Sequence, residues 1–111
     1  PRVRIAMIES VHPFPGQSAS SMFKFGWNAG LLHMALVAMN IPFEFVTPGS
    51  WQKPLGCVIA GRKNPSDRYA DKKRHIRGRI QELFPQQKVT LKTCDAIGIA
   101  EFCRCKSRGL L

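Results

Sequence analysis

The sequence predicts an α/β protein, on three observations. A short apolar, β-branched run opens the chain, a long helical pattern follows it, and a second alternating run precedes two further helical patterns. With 111 residues the chain suits one small domain spanning 1–111. Its apolar fraction of 44% and charged fraction of 22% are those of a chain that can pack a core.

Val3 to Ile8 (VRIAMI) is nearly continuous in apolar residues, the pattern of a strand buried on both faces, and it places Glu9 at the strand's carboxyl end. His12 to Gly16 (HPFPG) is a loop by its prolines and glycine. From Ser18 to Met39 the period becomes helical. Phe23, Trp27, Gly30 and Leu31 follow one ridge, and Leu32, Leu36 and Met39 continue an apolar face. Ser18, Ser20 and Ser21 offer N-caps, and Gly26 and Gly30 predict a close approach to a neighbouring element. Phe43 to Thr47 (FEFVT) alternates as a second strand.

Pro48 to Gly56 predicts a turn and a short helix capped by Ser50, and Gly61 to Pro65 (GRKNP) a basic loop. Between Ser66 and Phe84, Ile76, Ile80, Leu83 and Phe84 form an apolar stripe on an otherwise basic helix, which Pro85 ends. Lys88 to Lys92 extends briefly, Asp95 to Arg104 forms a last helix capped by Thr93, and Lys106 to Leu111 is a frayed tail.

Lys and Arg number 17 against 7 Asp and Glu, giving a net charge of +10 and attracting polyanions, nucleic acid first. The apolar stretch Leu31 to Met39 is broken by His33 and falls far short of the roughly 20 residues that cross a bilayer. No membrane partner is expected. Cys57, Cys94, Cys103 and Cys105 lack framework spacing and read as reduced thiols of a cytoplasmic protein.

Two carboxylates stand in telling places: Glu9 at a strand end, and Asp95 in the first turn of a helix among Ala96, Ile97, Ile99 and Ala100. Hard Mg²⁺ ions take oxygen ligands of this kind, and two ions can activate a water and stabilise the leaving oxygen in phosphodiester cleavage. By residue type alone, Glu9 equally suits a loop acid, and Asp95 an N-terminal helix acid favoured by the macrodipole.

Ile5 to Gly30 (IAMIESVHPFPGQSASSMFKFGWNAG), with its strand ending in glutamate, Pro-Gly loop and Phe25-Gly26-x-x-x-Gly30 element, resembles the core signature of RuvC-like Holliday junction resolvases of the phage and bacterial type. Val46 to Lys53 (VTPGSWQK) resembles that family's next strand and Thr-Pro-x-x-Trp-x-Lys segment, and Asp95 to Phe102 (DAIGIAEF) its Asp-Ala-x-x-x-Ala motif. The resemblance implies an RNase H-like fold, partial in that the first strands would lie upstream of Pro1. It also implies Mg²⁺ (or Mn²⁺) as cofactor with no small-molecule cofactor, branched DNA as substrate, a homodimer, and a bacterial or phage-encoded setting. Of the family's four acidic ligands, Glu9 matches the glutamate and Asp95 the final aspartate, so both are the catalytic and metal-binding candidates. The first-strand aspartate is unmatched, and Lys92 stands three residues before Asp95, where family members carry an acid. A short deletion before Cys94 would produce the same mismatch. Two carboxylates cannot hold two divalent ions as four can, so a catalytically inert DNA-binding remnant is the alternative to an active junction nuclease.

DNA contacts have support from the residues themselves. Arg62, Lys63, Arg68, Lys72, Lys73, Arg74, Arg77 and Arg79 are set against Asp67 and Asp71 and suit phosphate contact, with Lys72, Lys73, Arg74 and Arg77 as the leading binders, or else a solvated helix face. Phe14 could stack on an unpaired base or pack on its own domain, and Lys53 with Trp51 could flank the substrate, with Trp51 alternatively a core plug. Cys103-x-Cys105 matches no common zinc module.

Overall fold

The structure is a computed structural model that describes residues 2–10, 12–13, 15–58 and 69–111. It is a mixed helix-and-sheet protein whose chain divides into two compact units, Pro1–Val46 and Thr47–Leu111. The expected basic loop at Gly61 to Pro65, the start of the following helix and Phe14 lie outside the described residues.

In the first unit, strand β1 (Ala6–Glu9) runs parallel to strand β2 (Phe43–Val46), and helix α1 (Ala19–Ala38) makes the crossover. The expected strand at Val3 to Ile8 is displaced toward the carboxyl end. Pairing starts where a partner exists, with the Ala6 amide donating to Pro42 O and Ala6 opposite Phe43. Glu9 is therefore the last residue of the strand, opposite Val46. All four β1 residues are half-buried, not buried on both faces as the apolar run predicts.

Ser18 caps α1, its side-chain oxygen accepting from the Ser21 amide. At the other end Asn40 adopts φ +54°, and the Asn40 and Ile41 amides donate to Val37 O and Leu36 O, a Schellman closure. The expected packed ridge is not found. No α1 residue is buried, and Phe23 (68%), Trp27 (60%) and Leu31 (58%) are exposed. The ring of His33 makes edge contacts with Phe43 and Phe45 of β2. Nothing lies within 4 Å of a Cβ built on Gly26 or Gly30, so the close approach they predict is absent among the described residues.

The second unit holds α2 (Pro48–Gln52), α3 (Tyr69–Leu83) and α4 (Cys94–Ser107). α2 begins with Pro48 in its first turn, and Thr47 takes the N-cap position in place of the expected Ser50. Gly56, at φ +73°, turns the chain after α2 and leaves room for the Arg79 guanidinium. No strand forms between Lys88 and Lys92. Val89 enters the core there, and a turn over Leu91–Thr93 leads into α4. Thr93 sits at the N-cap of α4 without capping through its side chain, since its hydroxyl is engaged by the Thr90 amide and hydroxyl. α4 runs three residues past the expected Arg104, and Gly109 at φ +67° closes it, with Leu110 donating to Cys105 O and Gly109 to Lys106 O.

The core of this unit is Trp51, Leu55, Cys57, Ile76, Ile80, Val89, Cys94, Phe102 and Cys105. Full burial of one large aliphatic side chain contributes roughly 1.5–3 kcal/mol, so the stripe of α3 and the Trp51 plug supply much of its cohesion. Trp51 is fully buried and lies against Gly98 of α4. It takes the core-plug position, one of the two alternatives its sequence context left open.

Candidate functional site

The two acids stand in different units. Glu9 ends β1, half-buried, in the first unit. Beyond it an open groove of about 470 Å³ is lined by His12, Gln17, Met22, Phe23 and Phe25, and its walls are almost wholly apolar.

Asp95 is in the first turn of α4, as expected, where a carboxylate favours the helix dipole. Its Oδ2 accepts from the Lys73 ammonium of α3 at 2.5 Å, and its Oδ1 lies 3.7 Å from the Cys94 thiol. The Lys73 side chain is 17% exposed, so its charge is withdrawn from solvent as well as paired. Lys73, expected as a phosphate contact from its place in the basic run, is thus engaged by Asp95 and largely covered, unlike its exposed neighbours Lys72 and Arg74. A helix register places it at the edge of the buried Ile76–Ile80 stripe, within reach of α4.

The thiols around Asp95 are held protonated. Burial pushes Cys57 up to about 11, with the Arg79 guanidinium opposing. Burial likewise raises Cys94, with Lys73 opposing and Asp95 reinforcing. Among the described residues no three His, Cys, Asp or Glu side chains gather in a way that could hold a metal ion. Exposed Lys92 stands in the turn ahead of Asp95. An ammonium on one carboxylate and a second cation close in sequence make this donor set a poor fit to a two-ion magnesium centre.

The remaining basic positions divide by what they touch. Arg77 gives its Nε–H to Val89 O, and Arg79 gives its own to Leu55 O, so both tie α3 to neighbouring chain. Arg79 also pairs with Glu82, and Arg74 with Asp71. Lys72, Arg74 and Arg77 are exposed residues, as is Lys53 after α2, with Arg74 also paired to Asp71 and the Arg77 Nε–H held by Val89 O. Sequence reasoning missed the Lys73–Asp95 pair and the backbone anchoring by Arg77 and Arg79. No local pattern marks a lysine as destined for an acid 22 residues away.

No helix among the described residues is long and apolar enough to cross a membrane. No known protein-family profile matches the chain, and neither does any curated protein.

Proposed function

We propose that this chain binds branched DNA as part of a structure-selective, RuvC-like junction endonuclease of the RNase H-like class, acting in DNA recombination, repair or phage DNA processing within a bacterial cytoplasm. The observation that carries the reading is α3. One stripe of it is buried, while Lys72, Arg74 and Arg77 stay exposed on a chain of net charge +10. A helix fixed by its apolar face and bristling with cations presents charge at set spacing to phosphates, and it reads backbone, not base sequence.

The parallel β1–α1–β2 crossover is compatible with the RNase H-like arrangement that the motifs resemble. The apolar groove after Glu9 supports stacking of an unpaired base at a branch point, and the exposed apolar residues of α1 support pairing with a second copy. Glu9 and Asp95 are the two acids this chain offers to phosphodiester hydrolysis, so cleavage with Mg²⁺ or Mn²⁺ requires further carboxylates. A second reading, a DNA-binding remnant without cleavage, is favoured by the Lys73 ammonium on Asp95.

The test is a paired binding and nicking assay on a synthetic four-way junction with Mg²⁺. The proposal expects junction binding in preference to linear duplex, steeply weakened by salt. Under the nuclease reading alone, nicking is expected when a segment bearing the first-strand aspartate is joined ahead of Pro1, and is lost on Glu9→Gln. Junction binding without nicking in the extended chain selects the remnant reading, and no preference for the junction over duplex overturns both.

A further inference from the structure

We infer that in this chain Asp95 serves an internal ammonium and not a metal ion: Lys73 takes the coordinating side of its carboxylate and thereby ties α3 to α4. The inference rests on the reading above only in naming Asp95 a metal position of the resembled family.

Both oxygens of Asp95 are engaged, Oδ2 by the Lys73 ammonium and Oδ1 by the Cys94 thiol. The lysine stem crosses from α3 with most of its surface covered. Breaking such a pair from one side leaves a partly buried charge without compensation, so the pair resists opening. A divalent ion at Oδ2 would have to approach the ammonium nitrogen or displace it. Repulsion between a doubly charged and a singly charged cation a few ångströms apart opposes that approach at this partly exposed carboxylate, most directly on the Oδ2 side that Lys73 covers. Mg²⁺ also gives up its own hydration reluctantly, which one already neutralised carboxylate does little to offset. Lys92 adds a further cation in the turn ahead of Asp95.

The arrangement has a structural use. Within α3 Asp71 pairs with Arg74 and Glu82 with Arg79, and in α4 Glu101 pairs with Arg104, so these ion pairs lie within one helix. The Lys73–Asp95 pair instead joins α3 to α4, in the turn of α4 where the helix dipole already favours an acid. The acid that the family devotes to metal thus holds a DNA-binding helix in place here.

The experiment titrates the full chain with Mn²⁺ alone, following free Mn²⁺ by electron paramagnetic resonance, for wild type, Asp95→Asn, Lys73→Met, Lys73→Arg and the Lys73→Met/Asp95→Asn double variant. Urea unfolding of each is measured in parallel. Wild type and Asp95→Asn are expected to take up Mn²⁺ alike. Lys73→Met is expected to bind it at least roughly tenfold more tightly, and the double variant to lack that gain. Lys73→Arg, which keeps the charge, is expected to behave as wild type and covers the case in which Lys73→Met does not fold. In urea, the two single charge removals are expected to cost more in sum than the double variant does, as for a direct pair. Mn²⁺ uptake by wild type that Asp95→Asn abolishes would overturn the inference, as would additive effects in urea. Neither result touches the junction-binding measurement, so failure of the proposed function and failure of this inference are read separately.

Discussion

Gly98 lacks a side chain where Trp51 needs the space. A Cβ built at Gly98 would lie 2.4 Å from Trp51 Cζ3, and the ring is fully buried, so it cannot yield. Gly98→Ala is therefore expected to lower stability by about 1–3 kcal/mol, the range for overpacking a filled core, read as a fall in the urea midpoint. The contact also gives a physical account of why the Trp51 segment and the Asp95 to Phe102 segment occur in one chain: one supplies a plug, the other its seat. At Cys57 the prediction concerns pH. Its folded thiol titrates near 11, above the ordinary thiol value, so the folded state holds the proton where the unfolded state has released it. Stability is fully present below the unfolded value and falls as pH rises toward 11, by about 2–3 kcal/mol if this thiol acts alone. Unfolding curves from the ordinary thiol value upward should show the decline, and Cys57→Ala should lessen it, leaving the part that the raised Cys94 thiol contributes.

At the scale of the element, α3 separates two uses of basic side chains. Arg79 donates to Leu55 O, so Arg79→Gln is expected to lower the urea midpoint while leaving the salt dependence of the proposed DNA binding unchanged. Lys72 and Arg74 face solvent, and Lys72→Gln with Arg74→Gln should do the reverse. Removing one cation that neutralises a phosphate makes the slope of log affinity against log salt shallower by about 0.9, with little change in unfolding. α1 poses a different question, since a helix showing Phe23, Trp27, Leu31 and Met34 to solvent departs from the usual amphipathic pattern. Trp27→Glu is expected to reduce concentration-dependent association in sedimentation, in keeping with the proposed homodimer. Unchanged sedimentation would remove α1 from that role.

At the scale of the whole molecule, the helices and strands were legible because period and punctuation are local properties. Ser18, the Asn40–Pro42 stop, Pro85 and the Ile76–Ile80 stripe each announce a boundary or a face through their own backbone or packing preferences. The places of Glu9 and Asp95 at a strand end and a helix start were legible for the same reason. Glycine misled because its signal has no address. Gly26 and Gly30 drew the inference of close approach and have no neighbour there, while Gly98, not singled out, is the one a ring presses upon. Trp51 was ambiguous between substrate and core for a related reason, as an aromatic side chain announces its area but not what covers it.

By itself the sequence determined the mixed helix-and-sheet character, the order of elements, the surplus of positive charge and the positions of two acids along the chain. These follow from composition and from interactions spanning a few residues. Tertiary structure alone decided the partners: Lys73 on Asp95, Trp51 on Gly98, Arg77 and Arg79 on backbone carbonyls, and the pairing that moved β1 onto Glu9. Each joins residues far apart in the chain, and such a contact forms only when several elements pack at once. A charge whose fate is set by that packing carries no local mark of whether it will meet solvent, phosphate or another side chain.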